Sequence, residues 1–203
     1  MIAIVDYGAS NLLSVTNAVV NLGYRPKVTS AVEDVLRADA VLLPGVGAAA
    51  DALKKLRALG MAEAIAEVVG RGRPFLGICL GYQLLFSFTE EGGAECLGIL
   101  PGRVVRLPGT LKVPHIGWNQ VAQRIRHPVF DGIPDGSNFY FVHSYYPDVV
   151  DGSLVAGETE YGVVFASVVV RGNLIATQFH PEKSGDTGLL FLDNFFRFAG
   201  IRP

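Results

Sequence analysis

Cys79 lies at a position where the surrounding residues are typical of a catalytic nucleophile. Cys79 lies between Gly77 and Gly81, where the apolar run 75–78 gives way to a helical pattern. A nucleophile on a sharp strand-to-helix turn needs glycines two residues to either side, because side chains there would collide with neighbouring backbone. Such a turn aims the sulfur out of the carboxyl end of a sheet, and a helix N-terminus favours the thiolate. This segment alone fits a nucleophilic thiol and a buried structural cysteine about equally.

A histidine and a glutamate two residues apart could serve that thiol. His180 and Glu182 follow the strand-like run 174–177, and residues two apart in an extended segment face the same side. Glu182 can then hold one ring nitrogen of His180 and leave the other to take the Cys79 proton. The alternative makes His180 an ordinary loop histidine and Glu182 a helix-start carboxylate. No carboxylate stands two residues from the competing histidines, which are His115, His127 and His143.

Short apolar runs alternate with helical patterns through the first half of the chain. Strands are predicted at 2–5, 26–28, 40–43 and 75–78, and helices at 11–22, 48–59, 61–69 and 82–88. Pro44 and Gly45 are expected to stop the third strand. This alternation predicts an α/β fold, a doubly wound and mostly parallel sheet covered by helices on both faces.

The second half of the chain changes character. Strand-like runs at 103–107, 120–122, 139–143, 154–157, 164–170 and 174–178 are separated by turns rich in Gly, Pro and Asp. These runs indicate antiparallel β additions at the edge of the sheet, closed by a helix from about 188 to 198. With no linker or repeat, residues 1–203 are interpreted as a single domain.

Composition excludes several classes of protein. The formal net charge is −2 and charged residues make up 18% of the 203 residues, so no basic footprint for nucleic acid is present. Two unpaired cysteines, no signal peptide and no apolar run of ~18–20 residues predict a cytoplasmic protein outside any membrane. The absence of metal-ligand spacing and of a phosphate-binding loop predicts neither a metal nor another cofactor.

Three segments together resemble the triad-type (class I) glutamine amidotransferases. They read PGVG at 44–47, GICLGYQ at 77–83 and QFHPE at 178–182, in the family's order, and the resemblance spans nearly the whole chain. It implies a flavodoxin-like fold in which Cys79 attacks the side-chain amide of L-glutamine. His180 would act as base and then as acid, and Glu182 would orient it. Backbone N–H groups would hold the oxyanion, those of Val46, Gly47 and Leu80.

The same resemblance implies where the substrate binds. Gln83 matches the family's glutamine-contacting residue, and Ser144 and Tyr145 lie in the segment whose backbone holds the amino-acid end. Glu91 stands twelve residues after Cys79 and fits a carboxylate for the substrate's α-ammonium group, with its neighbour Glu90 as a competitor.

A further segment narrows the resemblance to one branch of the family. Residues 113–119 read VPHIGWN, and the opening YGxxN and the run QFHPEKS are similar to those of the glutaminase subunits of imidazole glycerol phosphate synthases. Tyr82 replaces the methionine that many relatives carry at this position, and this difference is expected to alter the wall of the substrate pocket.

That branch implies a heterodimer with a (β/α)₈-barrel cyclase. The cyclase would use the ammonia in histidine biosynthesis, making imidazole glycerol phosphate and an aminoimidazole carboxamide ribotide. Trp118 is the only tryptophan, and a core position for it is an equal alternative to an interface position. Four residues are assigned to the partner interface by this interpretation, namely Asn11, Trp118, Tyr140 and Lys183.

Two other hypotheses use the same residues differently. A γ-glutamyl hydrolase or cysteine peptidase would keep Cys79 and His180 but would need a wider groove. A regulatory subunit that kept only the fold would have no use for the full set of Cys79, His180 and Glu182.

Overall fold

The computed structural model describes residues 1–8 and 11–203, and alternating strands and helices dominate its first half. The helices are α1 Leu12–Asn21, α2 Val32–Arg37, α3 Ala49–Ala58, α4 Met61–Gly70, α5 Leu80–Gln83 and α6 Gly185–Phe198. The strands are β1 Ile2–Val5, β2 Pro26–Thr29, β3 Ala40–Gly45, β4 Phe75–Cys79, β5 Phe88–Thr89, β6 Ala94–Glu95, β7 Gly102–Arg106, β8 His115–Gln123, β9 Ser137–His143, β10 Tyr145–Val149, β11 Val155–Glu160, β12 Val164–Arg171 and β13 Leu174–Thr177. Short 3₁₀ turns span Pro128–Phe130, Gly152–Leu154 and Pro181–Lys183.

A nine-stranded sheet runs through the centre in the order β2-β1-β3-β4-β13-β12-β11-β8-β9. The five strands from β2 to β13 are parallel, and the four from β12 to β9 continue the sheet antiparallel. The predicted α/β fold with antiparallel strands added at one edge is therefore confirmed.

Both faces of the four inner parallel strands, β1, β3, β4 and β13, are buried, and successive residues of each strand pack against opposite layers. In β1, Ala3 and Val5 pack with α2, α3 and α4, while Ile2 and Ile4 pack with α1 and α6. Phe191 and Phe195 of α6 fill the second layer without exposure to solvent. The carboxyl ends of these strands are thus held by two packed layers, one on each side.

A second, four-stranded sheet in the order β10-β7-β5-β6 was not anticipated by the sequence patterns. The predicted helix 82–88 is wrong, because helix α5 ends at Gln83 and Phe88 already belongs to β5. Two glycines at positive φ, Gly92 and Gly93, close the hairpin from β5 to β6. Strands of two residues are too short to show a period-two pattern.

Smaller differences occur at element ends. Strand β3 continues through Pro44 to Gly45, where Gly45 pairs with Cys79 of β4, so the predicted stop is two residues early. Helix α2 has only six residues, too few for a helical repeat to be visible in the sequence. Among residues 1–8 and 11–203, no helix combines the length and apolarity that a membrane crossing requires.

The turn after β4 requires a glycine at position 81, and a substitution can test this requirement. A Cβ at Gly81 would lie 1.8 Å from the Leu43 carbonyl oxygen, a backbone atom that cannot move aside. We therefore expect Gly81→Ala to lower the free energy of unfolding by about 3 kcal/mol or more, measured by urea denaturation. Gly70→Ala is the matched control, because no heavy atom lies within 4 Å of its added Cβ, and should change stability by less than about 1 kcal/mol. Equal stability of both variants would contradict the close-approach argument.

Candidate active site

The backbone of Cys79 carries the clearest local signal of a functional turn. Its φ is 54° and ψ is −107°, and Cys79 is the only non-glycine residue at positive φ within the described part of the chain. Gly77 is also closely approached, though less than Gly81, since its Cβ would lie 3.1 Å from the Gly81 carbonyl oxygen. The predicted reason for both flanking glycines is therefore present. Helix α5 has only four residues, however, so its dipole contributes less to the thiolate than a long helix would.

The His180 imidazole and the Glu182 carboxylate meet in the interior. His180 Nδ1 lies 2.7 Å from Glu182 Oε1, and both side chains are fully buried. The route to this contact differs from the predicted one, because Glu182 lies in a 3₁₀ turn rather than in an extended segment. The hydrogen bond at Nδ1 leaves Nε2, a buried atom without a well-formed hydrogen bond to any described residue, on the other side of the ring.

The electrostatics of His180 connect it to Cys79. Burial on its own lowers the pKa of a histidine, but the Cys79 sulfur and the Glu182 carboxylate raise the pKa of His180 to about 10. The sulfur is the stronger of these two influences. The structure therefore brings the three predicted residues together, with the imidazole interacting with both the sulfur and the carboxylate.

Asn11 is buried against the carboxylate of the His180–Glu182 pair. Its residue is only 6% exposed, and its Nδ2 donates to Glu182 Oε1 at 2.5 Å and lies 3.4 Å from His180 Nδ1. Asn11 therefore lies beside the His180–Glu182 pair, and its predicted role at the partner interface stays a prediction.

A pocket of about 280 Å³ opens above the Cys79 sulfur. The predicted oxyanion residues and the predicted substrate residues all line it, on β3, α5, β9 and the segments beside them. Its walls come from Val46, Gly47, Cys79, Leu80, Gln83, Glu91, Pro114, Val142, His143, Ser144 and Tyr145. One cavity therefore contains a thiol, a carboxylate and several backbone groups, which is a suitable set for a small amino acid.

The two neighbouring glutamates have different surroundings. Glu91 lines the pocket, and its Oε2 accepts the Ala49 N–H at 2.9 Å. Glu90 is exposed, and its Oε2 accepts the Arg106 N–H at 2.9 Å. Of the two candidates for the substrate's ammonium group, only Glu91 faces the pocket.

Two side chains beneath the pocket escaped the sequence analysis. Tyr7 donates its hydroxyl to the Pro44 carbonyl at 3.0 Å, below the strand end that leads to Val46, and burial raises its pKa. Gln178 places its Nε2 3.7 Å from the Cys79 sulfur. Gln178 belongs to the QFHPE segment at 178–182, but a sequence does not show which way a buried amide side chain points.

The loop that carries His180 is fastened to strand β9. The His180 N–H donates to the Tyr140 carbonyl at 2.9 Å, and the Tyr140 N–H donates to Ser184 Oγ at 2.9 Å. The ring of Tyr140 meets Trp118 edge-on at 6.0 Å, and Trp118 is 58% exposed. Lys183 is exposed in the adjoining turn. Trp118 is therefore not a core residue, and these three predicted interface residues lie together on the surface.

Comparison with known proteins gives the family. The family description "Glutamine amidotransferase class-I" matches residues 3–198. The imidazole glycerol phosphate synthase subunit HisH of Dehalococcoides mccartyi strain CBDB1 is 57% identical over 200 residues, which cover 98% of each chain. HisH of Moorella thermoacetica is 54% identical over 195 residues, covering 96% of this chain and 93% of the relative.

Solved structures agree on the fold. A crystal structure of a glutamine amidotransferase superposes with a TM-score of 0.78 at 20% identity, covering 98% of this chain and 99% of the other. The chain belongs to the class-I glutamine amidotransferases, within the HisH branch of that family.

Proposed function

We propose that this chain hydrolyses L-glutamine to glutamate and ammonia as the glutaminase subunit of an imidazole glycerol phosphate synthase. The observation that carries the proposal is that Cys79 lines the pocket while His180, hydrogen-bonded to Glu182, interacts with the Cys79 sulfur from the buried side. The names of the HisH relatives support the same assignment. Because HisH is named as a subunit, we further infer a second chain that consumes the ammonia, and a cytoplasmic location for both.

The chemistry follows from the arrangement of the three side chains. His180 takes the Cys79 proton as the sulfur attacks the carboxamide carbon of glutamine. It then gives this proton to the departing nitrogen, so that ammonia leaves and a γ-glutamyl thioester remains. Water then attacks the thioester with His180 as base, releasing glutamate and restoring the thiol. Glu182 holds the imidazole ring in the required orientation throughout.

Backbone donors stabilise the negative oxygen that forms during both steps. Val46, Gly47 and Leu80 line the pocket together with Cys79. We assign the Leu80 N–H and an N–H of the Val46–Gly47 segment as donors to the oxygen on which charge develops in the tetrahedral intermediate. At the other end of the pocket, Glu91 supplies a negative charge for the α-ammonium group. Gln83, Ser144 and Tyr145 complete the wall that fits the rest of the amino acid.

The partner is proposed to be a (β/α)₈-barrel cyclase that forms a heterodimer with this chain. Trp118, Tyr140 and Lys183 offer two aromatic rings and a cation on one surface, and Ile116, 59% exposed, projects from the same face of β8 as Trp118. Aromatic residues are the most frequent anchors of protein interfaces. The cyclase would convert the ammonia into imidazole glycerol phosphate and aminoimidazole carboxamide ribotide.

The first prediction concerns the nucleophile. Cys79→Ala removes the attacking sulfur, so glutamine hydrolysis by the complex should fall by at least about 10³-fold while ammonia-dependent synthesis by the cyclase continues. Glutamate production and cyclase product are measured in the same preparation. Cys96→Ala is the control, because Cys96 is a free cysteine that does not line the pocket, and should retain activity. Undiminished hydrolysis by Cys79→Ala would overturn the proposed mechanism.

A second prediction uses the charge on Glu182. Because this carboxylate raises the pKa of His180, Glu182→Gln should lower that pKa from about 10 and reduce kcat roughly 10³-fold. The pKa is measured by NMR titration of the His180 ring. Glu67→Gln, at an exposed ion pair with Arg71, is the matched control and should leave both quantities unchanged.

The same raised pKa predicts a dependence of stability on pH. A histidine whose pKa is higher in the folded than in the unfolded state, where it is about 6.5, stabilises the fold fully below that value. The contribution is lost as the pH rises through about 10. Glu182→Gln should therefore be most destabilising near about pH 6 and least near about pH 10.5, as measured by urea unfolding. A difference from wild type that widens towards high pH would contradict this account.

A further prediction concerns the partner surface. Trp118→Ala should weaken binding to the cyclase by at least about tenfold, measured by calorimetry, because it removes the largest exposed anchor. Val28→Ala serves as the control, since Val28 is 40% exposed on β2 at the opposite edge of the sheet. If both variants bind the cyclase with equal affinity, the cyclase binds a surface that does not include Trp118.

A further inference from the structure

A buried amide points its N–H groups at the nucleophile. Gln178 Nε2 lies 3.7 Å from the Cys79 sulfur, and the Gln178 side chain is wholly enclosed. Its Oε1 accepts from Gln83 Nε2 at 3.0 Å. Rotating the Gln178 amide by half a turn would bring its NH₂ against the NH₂ of Gln83 and its oxygen against the sulfur. The contact with Gln83 therefore fixes which end of Gln178 faces Cys79.

Gln83 is itself held in one orientation. Its Nε2 also donates to the Tyr145 carbonyl at 2.8 Å, so both amide protons are engaged. The same carbonyl lies 2.9 Å from His143 Nδ1. Since a carbonyl can only accept, the proton of neutral His143 must be on Nδ1, and its Nε2 must be an acceptor.

A second histidine continues this directional chain. His115 Nδ1 lies 3.0 Å from His143 Nε2 and must donate to it, which leaves His115 Nε2 to accept from Asn119 Nδ2 at 3.4 Å. Burial lowers the pKa of His143 to about 3 and that of His115 to about 4, so both rings are neutral at physiological pH. A proton added to either ring would place two N–H donors face to face. Every hydrogen bond from Asn119 to the sulfur thus has a single allowed direction.

We propose that Gln178 is a further catalytic residue that donates an N–H to the Cys79 sulfur, and that His143 and His115 are positioning residues for this donor. The proposal rests on the glutaminase function above. An amide N–H directed at the sulfur stabilises the ionised form that attacks glutamine and that leaves when the thioester is hydrolysed. The histidine pair acts through the Tyr145 carbonyl and Gln83, without contact to the reacting atoms.

The donor role of Gln178 is tested by removing its N–H groups at constant length. In Gln178→Met, alkylation of Cys79 by iodoacetamide at pH 7.5, followed on the Cys79 peptide by mass spectrometry, should slow by about tenfold. In complex with the cyclase, kcat should fall about tenfold while KM for glutamine changes less than about threefold. Ser167→Ala is the matched control, because the Ser167 hydroxyl is buried near Gln178 and has no hydrogen bond to the described residues. It should behave as wild type.

The positioning role of His143 is tested by two substitutions with opposite expectations. His143→Phe keeps an aromatic ring among Phe141 and Phe165 but removes the donor to Tyr145. His143→Asn leaves a cavity but supplies an amide N–H in place of Nδ1. We expect His143→Phe to slow alkylation by about threefold to tenfold and His143→Asn to recover most of the wild-type rate. A role in packing alone predicts the reverse order.

These outcomes separate the inference from the proposed function. Wild-type rates of alkylation and turnover in Gln178→Met, or faster alkylation in His143→Phe than in His143→Asn, would overturn the inference while leaving the glutaminase assignment intact. A wild-type complex that releases no ammonia from glutamine would overturn the assignment, and the alkylation series would still decide whether Gln178 serves the sulfur. Thermal unfolding of each variant confirms that it is folded. If Gln178→Met does not fold, the two His143 variants decide the question.

Discussion

The active site depends on one strained residue, Cys79, whose backbone must turn through positive φ at the end of a central strand. A non-glycine residue in such a conformation costs of the order of 1–3 kcal/mol and persists only where its surroundings impose it. Here β3 and β13 pair with β4 on both sides, and Gly45 lies directly beside Cys79. The next turn of backbone comes so close to Leu43 that only glycine fits at position 81. The position of the sulfur is therefore set by the sheet and not by the loop alone.

The His180–Glu182 pair lies in the interior because several polar groups surround it. The His180 and Glu182 side chains are removed from water, which is unfavourable for isolated charges. Their mutual contact, the amide of Asn11 and the Cys79 sulfur together compensate for the lost hydration. Tyr7 and Asn11, at the two ends of the β1–α1 connection, contact different parts of the site. Tyr7 donates to the Pro44 carbonyl of β3, and Asn11 donates to the Glu182 carboxylate.

The sequence predicted those features that have strong local causes. The four inner parallel strands β1, β3, β4 and β13 are mostly apolar because both of their faces are buried, and the flanking glycines of Cys79 mark the turn. Features decided by distant contacts were missed. Strands β5 and β6 have two residues each and exist through pairing with one another and with β7. Asparagine is usually exposed, so nothing in the sequence indicated that Asn11 is buried against Glu182.

Strand β9 ends the nine-stranded sheet, and an uncovered edge of this kind offers a template for pairing with another chain. At Tyr140, however, the outward N–H and carbonyl groups are both taken by the segment from His180 to Ser184. The segment that carries the proposed catalytic base therefore also covers the outer edge of β9 at Tyr140. Proteolytic cleavage or unfolding of that segment would affect solubility as well as turnover, so the colloidal behaviour of this protein and its chemistry depend on the same few residues.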